Sequence, residues 1–345
     1  MNRFCLLLFC CLAWKVTSQN IKGAVYDENK LPVAGALVYM DGTSVGTLTD
    51  EKGLFEIVIA DKIFTNLIVN YMGYVPVSVP NPFAKKFHII QLEQTETQLN
   101  EVTIRQSKKR KKNKFKRAEK LQLFFEEFLG KTTAGKSCRI LNESDIVLEY
   151  DLKKNRLIAT SDVPVRIHNA FLGYDLEYQI KDCYIDFSRR TINSNAIKSW
   201  SFVGTTFFRD LTNDSTSYAA KRSMSYNASQ MQFFRNLCRQ TLNRTNFRLL
   251  HGSRRRNPAD YFVVEDKGHQ YEITVQNKKL RPHEAFELSF ILEYSGKPDS
   301  QVAFYTKKFS VDKFGNNSSY NEIIFSGDIS TKRIGDLLPL DYKSN

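Results

Sequence analysis

The sequence predicts a mainly β protein: a small N-terminal β-sandwich, a basic linker, then a mostly antiparallel α+β domain with two substantial helices. Three observations carry this. From Asn20 to Leu92, short runs of alternating apolar and polar residues are separated by Asp, Gly and Pro turns. Between Arg105 and Arg117 stand nine basic residues and no acidic one. Beyond them, long alternating stretches are interrupted by two segments whose apolar residues recur every three or four positions.

At 345 residues the chain has room for two domains, and 42% hydrophobic residues with 12% aromatics suffice for packed cores. Residues 1–18 read as a secretory signal. Arg3 gives a positive start, Phe4 to Ala13 are apolar, and Val16-Thr17-Ser18 places short side chains for cleavage after Ser18. That apolar run falls short of the roughly 20 residues a membrane-crossing helix needs. A lipid anchor needs a small residue before a cysteine, whereas Cys10 follows Phe9 and Cys11 follows Cys10. The expectation is export by signal peptide, to a periplasmic or outer-membrane-associated position. Loss of the leader leaves Cys138, Cys183 and Cys238, too few for a disulfide framework. One bridge with a spare thiol, or three buried thiols, would both fit.

Within the first segment Ile21, Gly23 and Val25 alternate with Lys22, Ala24 and Tyr26, and Asp27-Glu28-Asn29-Lys30 supplies a turn. Ala36, Val38 and Met40 alternate with Leu37 and Tyr39, so this strand has both faces covered. Asp41-Gly42 and Asp50-Glu51-Lys52-Gly53 are turns, because Asp accepts backbone hydrogen bonds and Gly adopts positive φ. Phe55 to Ile59, Leu67 to Tyr71, Val75 to Val79 and Phe87 to Leu92 complete about seven short strands.

Gly23-x-Val25-x-Asp27, Pro32-Val33-x-Gly35-Ala36-x-Val38, Gly46-Thr47-x-Thr49-Asp50-x-x-Gly53-x-Phe55-x-Ile57 and Tyr71-Met72-Gly73-Tyr74 form four ordered blocks over about 70 residues. They closely resemble the carboxypeptidase-like regulatory domain, a transthyretin-like β-sandwich common in cell-envelope proteins of Bacteroidetes. The resemblance implies a non-catalytic module, found beside metallocarboxypeptidase domains or ahead of outer-membrane receptor barrels. Leu99-Asn100-Glu101-Val102-Thr103-Ile104 resembles the segment that follows the module in such receptors, but the remaining residues are not patterned as a barrel. The domain plan is thus 1–18 signal peptide, 19–94 sandwich, 95–117 basic linker and 118–345 α+β domain.

The linker repels itself and stays solvated as a spacer. Its alternative role is contact with an anionic membrane surface or glycan through Lys108, Lys109, Arg110, Lys111, Lys112, Lys114, Lys116 and Arg117. Nucleic acid is excluded as a partner: an exported chain seldom meets it, and Phe115 alone offers no ladder of stacking aromatics.

After the linker, Leu121, Phe124, Phe125, Phe128 and Leu129 predict a helix with Lys120, Glu126 and Glu127 on its solvated side and Gly130 as a stop. Strands follow at 146–150, 156–160, 165–168 and 172–187, with a further pair within 197–208. A helix is expected from about Thr216 to Asn243, its stripe made by Met231, Phe234, Cys238 and Leu242 beside Phe233 and Leu237. Five more strands are read at 261–264, 271–275, 286–294, 302–305 and 321–325, and Asp336 to Leu340 is extended. Cys138-Arg139-Ile140-Leu141-Asn142, Asn169-Ala170-Phe171-Leu172-Gly173-Tyr174, Arg222-x-x-x-Tyr226-x-x-Ser229-x-x-Gln232-Phe233-x-Arg235-x-Leu237 and Leu338-Pro339 resemble an uncharacterised Bacteroidetes envelope region. That group is expected to carry His where this chain has Gln232, an amide that neither titrates near neutrality nor ligates metal well.

A zinc carboxypeptidase needs His-x-x-Glu and a distant His. His269-Gln270-Tyr271-Glu272 has the spacing, yet it reads as a strand, where residues three apart face opposite ways, and His283 follows too closely. Gly42-Thr43-Ser44-Val45-Gly46 and Gly130-Lys131-Thr132-Thr133-Ala134-Gly135-Lys136-Ser137 have the spacings of a nucleophile elbow and of a phosphate-cradling loop, but the first joins strands of the sandwich and the second follows a helix, so neither has the strand-turn-helix setting that such chemistry needs. Glu126-Glu127 and Asp145 with Glu149 are better explained by a solvated helix face and a turn than by glycoside cleavage. Tyr174, Tyr178 and Tyr184 fit strand packing, with a sugar or peptide groove as the alternative. No catalytic, metal or cofactor site is therefore assigned. The expected function is that of a non-catalytic cell-envelope interaction or accessory protein with an unidentified protein or glycan partner. The alternatives are an envelope hydrolase with a site within 121–345, and a binder of anionic lipid or glycan surfaces through the linker.

Overall fold

The computed structural model describes residues 19–59, 63–95, 115–212, 216–277 and 285–344. The N-terminal strands are β1 (Gln19–Tyr26), β2 (Leu37–Met40), β3 (Gly46–Leu48), β4 (Leu54–Ile59), β5 (Leu67–Asn70), β6 (Val77–Val79) and β7 (Phe87–Gln91). They form two sheets, ordered β4-β1-β7 and β3-β2-β5-β6, face to face. β1 runs antiparallel to β4 and parallel to β7. The period-two pattern decides what goes inside. Phe55, Ile57 and Ile59 are buried while Leu54, Glu56 and Val58 face out, and Val25, Val38, Val69 and Ile90 meet them in one core. Each such aliphatic side chain contributes roughly 1.5–3 kcal/mol when fully withdrawn from water.

The turns behave as their chemistry requires. Asp27 Oδ1 accepts from the amides of Asn29 and Leu31, and Asp50 Oδ1 from those of Lys52 and Leu54. Gly53 has φ of 72° and lies so near β1 that a Cβ would stand 2.5 Å from the Val25 carbonyl oxygen.

The second part begins with α1 (Arg117–Leu129) and a short α2 (Thr133–Lys136). It continues through β8 (Cys138–Ile140), β9 (Val147–Asp151), β10 (Arg156–Thr160), β11 (Val165–Asn169), β12 (Tyr174–Phe187) and β13 (Ile197–Asp210). These make one antiparallel sheet, ordered β8-β11-β12-β10-β9, with β13 along the other edge of β12. α1 presses Leu123, Phe124 and Phe128 onto it, with the Phe128 ring edge-on to Tyr178 at 5.1 Å.

Three sequence expectations change here. Residues 197–208 do not make a pair of strands. They lie in one fourteen-residue strand, because β13 follows β12 along its whole length across a bulge at Ile180/Asp182. Gly204 permits this, since a Cβ there would meet the Gln179 carbonyl oxygen at 2.3 Å. Glu127 and Lys120 are not on a solvated face. Both are buried, Glu127 beside Lys131 and Arg333, and Lys120 donating to the Leu148 carbonyl.

The expected helix from 216 to 243 is two helices, α3 (Thr216–Tyr226) and α4 (Gln230–Cys238). Ala228 takes φ of 56°, which no helix tolerates, and Ser229 caps α4 by accepting from the Gln232 amide at 3.1 Å. The end of α3 is closed by the Lys332 ammonium, which donates to the carbonyls of Met224, Ser225 and Asn227.

The remaining strands are β14 (Phe247–His251), β15 (Arg254–Arg255), β16 (Phe262–Asp266), β17 (Gln270–Val275), β18 (Leu288–Tyr294), β19 (Lys297–Phe304), β20 (Lys308–Asp312) and β21 (Ile323–Gly327). They pair as β15-β14-β18-β19-β21 and β16-β17-β20. β8, β14, β15 and β20 were not foreseen as strands. Phe233, Phe234 and Leu237 of α4 enter a core with Phe247, Phe290, Val302 and Phe309, separate from the core under α1.

Candidate functional site

Residues singled out from the sequence do not converge on one place. Lys108 to Lys114 of the basic run lie outside the described residues. Lys116 is exposed at the start of α1, where its amide bonds Glu119, and Arg117 donates to the carbonyls of Ile146 and Glu143 at 2.9 Å each. His269 sits exposed in the turn before β17, its ring 4.7 Å from that of Phe64, while Glu272 pairs loosely with Lys267 at 3.8 Å. His283 lies outside the described residues. Gln232 receives the Ala228 amide on Oε1 at 2.8 Å, a helix-start role. Cys138, Cys183 and Cys238 are free thiols. Burial pushes all three upward, Cys138 and Cys238 to about 12, which keeps them protonated and unreactive.

Polar groups that do converge surround the segment from Ile334 to Lys343. Arg235, 5% exposed, donates through Nε to the Phe314 carbonyl at 2.8 Å and through its terminal nitrogens to the carbonyls of Leu340 and Tyr342 at 2.9 and 3.0 Å. Asn169 Nδ2 donates to the Gly335 carbonyl at 2.8 Å, and Thr132 donates to Asp336 at 2.7 Å. These contacts lay the segment as a strap over α4 and the sheet of β8 to β13. Burial raises the Asp336 carboxyl and lowers the Lys332 ammonium to about 8.

The strap also meets the sandwich. The Leu340 amide donates to the Gly42 carbonyl at 2.8 Å, and both the amide and the hydroxyl of Ser44 bond the Asp341 carboxylate. On its other side the same loop runs beside β13. Gly42 donates to the Thr206 carbonyl at 2.7 Å, Phe208 donates to the Thr43 carbonyl at 3.0 Å, and Asp41 Oδ1 accepts the Thr206 amide at 2.8 Å. Tyr39 and Ile68 pack on Phe207, which is why both faces of β2 are covered. Residues 41–44 therefore lie between β13 and the strap.

A cavity of about 350 Å³ opens where the loop, α3 and the strap meet. Its floor is Arg222, buried over the ring of Tyr174 with its guanidinium carbon 3.9 Å from the ring centre. Four of the five Arg222 donors are committed: two to Asp210 at 2.8 Å each, Nε to the Leu172 carbonyl at 2.9 Å, and one more to the Gly173 carbonyl at 3.3 Å. Burial alone would raise Asp210, but the hydrogen bonds from Arg222 and Thr212 outweigh it and hold the carboxyl below its ordinary range. Ser44, Ser223, Asp341, Tyr342 and Lys343 line the rest. Of the three tyrosines considered from the sequence, Tyr174 borders this cavity. Tyr178 is buried in the core, and Tyr184 lies under Arg156 at 3.6 Å. Reading Arg222 from sequence was out of reach, because its partners come from β12, β13 and the turn at Gly173.

Residues 21–104 match the sequence profile of the CarboxypepD_reg-like domain. This part of the chain is a carboxypeptidase-regulatory-like domain. An 85-residue stretch is 36% identical to the TonB-dependent receptor SusC of Bacteroides thetaiotaomicron, and it makes up 25% of this chain and 8% of the receptor. The chain thus corresponds to a small part of that relative's length. Among solved structures, a 9R-lipoxygenase from Cyanothece aligns with 66% of this chain and 49% of its own at 11% identity, with a TM-score of 0.17.

Proposed function

We propose that the protein is a non-catalytic accessory protein of the cell envelope, in which the carboxypeptidase-regulatory-like sandwich, seated on the α+β part, presents a binding surface to an envelope partner. The observation that carries this reading is the similarity of the sandwich to a module of an outer-membrane receptor. The leader-like residues 1–18 support the same compartment. The placement of charge agrees: Arg222 and Arg235 hold together segments far apart in sequence, which is a structural use of charge.

The outer face of the β4-β1-β7 sheet, with Val58, Phe87 and Ile89 exposed, is the surface to probe. A photo-crosslinking residue placed at Ile89 is expected to trap an envelope component in intact cells. Adducts confined to cytosolic proteins, or no adduct from either Ile89 or Val58, would overturn the reading. So would chelator-sensitive hydrolysis of envelope peptides or glycans by the purified protein.

A further inference from the structure

We propose that the cavity between the sandwich, α3 and the strap binds a neutral sugar residue, as a free hexose or as the exposed end of a glycan. The idea deepens the interaction reading above and rests on it for the setting in which a glycan would be met.

Size comes first. A cavity of about 350 Å³ lies at the small end of ligand sites and has room for about a dozen water-sized groups. A hexose has about as many non-hydrogen atoms. Charge then narrows the class. Arg222 is neutralised by the bidentate Asp210, and two further donors are used by the Leu172 and Gly173 carbonyls, which leaves one N–H and no fork for a phosphate or carboxylate. Asp341 is matched by the nearby Lys343 on the same wall, which disfavours a cationic ligand. The lining is polar, and its charges balance.

Hydrogen-bond capacity supplies the rest. Each Asp341 oxygen takes one bond from Ser44, so both keep a lone pair at a fixed position for an O–H donor. Tyr174 is 3% exposed, and its hydroxyl finds no hydrogen-bond partner among the described residues. The hydroxyl borders the open cavity, so a ligand can take the place of water on it, an exchange worth roughly 0.5–1.5 kcal/mol for one hydrogen bond. Burial raises the Tyr174 hydroxyl above its ordinary value, which keeps it a donor as well as an acceptor. Tyr342 adds an aromatic wall, suited to the C–H face of a pyranose. Acceptors, donors and an aromatic surface without net charge match a polyol ring.

The test is saturation-transfer NMR with the purified full chain against glucose, galactose, mannose and N-acetylglucosamine, with glucuronate and glucosamine as charged comparators. At least one neutral sugar is expected to bind in the millimolar range or tighter. Tyr174→Phe keeps the ring and should weaken that binding about five- to tenfold, while Asp341→Asn, which keeps one acceptor for Ser44, should weaken it further. Melting curves of both variants verify that the fold is retained. Absence of binding by all four neutral sugars, equal binding by wild type and both variants, or preference for a charged comparator would overturn the proposal. Because no partner is present, a negative result leaves the Ile89 crosslinking outcome untouched, so the two readings fail separately.

Discussion

At Arg235 one guanidinium is shared by three carbonyl oxygens, from Phe314, Leu340 and Tyr342, with no carboxylate among the described residues in direct contact. A lysine carries one nitrogen at its tip and would satisfy a single carbonyl. Arg235→Lys is therefore expected to lower stability by about 2–4 kcal/mol, read as a drop in the urea midpoint at unchanged slope. Gln232 gives the opposite lesson. Its side chain receives the Ala228 amide at the start of α4 and touches nothing reactive, so Gln232→Ala should cost about 0.5–1 kcal/mol. Gln232→His should confer no zinc binding in a calorimetric titration. From sequence both residues belonged to one amphipathic pattern, and only the polar type of Gln232 indicated a silent position. The burial of Arg235 was not legible, because helical spacing tells which residues share a face and not what covers that face.

The elements whose partners are local were the ones legible in the sequence. Six of the seven strands of the sandwich, all but β3, and the turns at Asp27 and Asp50 follow from alternation and from Asp and Gly chemistry acting within a few residues. β13 and the division between α3 and α4 were not legible, because distant contacts decide them. A strand of fourteen residues is stable only because β12 matches it, and α3 can end where it does because Lys332 closes its carbonyls. The cavity belongs with these, being assembled from the sandwich loop, α3 and the strap. The break also carries a cost. Ala228 holds φ of 56°, so Ala228→Gly should raise stability by up to about 1 kcal/mol, seen as a higher melting temperature with the helical circular dichroism unchanged.

Across the whole molecule, buried carboxyls set the response to pH. Asp312 is 4% exposed at the end of β20, accepts the amides of Phe314 and Asn316, and has its carboxyl raised by burial to about 6. Asp41, under the sandwich loop, is raised by burial to about 6 as well, with Lys181 opposing the shift. In the unfolded chain both titrate near 3.8. Between about 4 and 6 the folded state therefore binds more protons than the unfolded one, and stability falls as pH rises through that window. For Asp312 the loss is up to about 3 kcal/mol. Urea midpoints should be higher at pH 5 than at pH 7, and Asp312→Asn should flatten the difference. Asp186 and Asp210, held low by hydrogen bonds from Arg156 and Arg222 against the opposing effect of burial, withdraw their support only below the ordinary carboxylate range. A midpoint that climbed steadily from pH 5 to 7 would contradict this assignment.

The loop at residues 41–44, held between β13 and the strap, ties Ser44 to Asp341, 297 positions further along the chain. Order of synthesis then becomes order of completion. The sandwich emerges first and can fold on its local contacts, yet its seat is finished only when the residues around position 340 arrive. Until then the Gly42 carbonyl and the Ser44 amide stay open to water, and a chain stopped short of position 340 carries an unsealed sandwich.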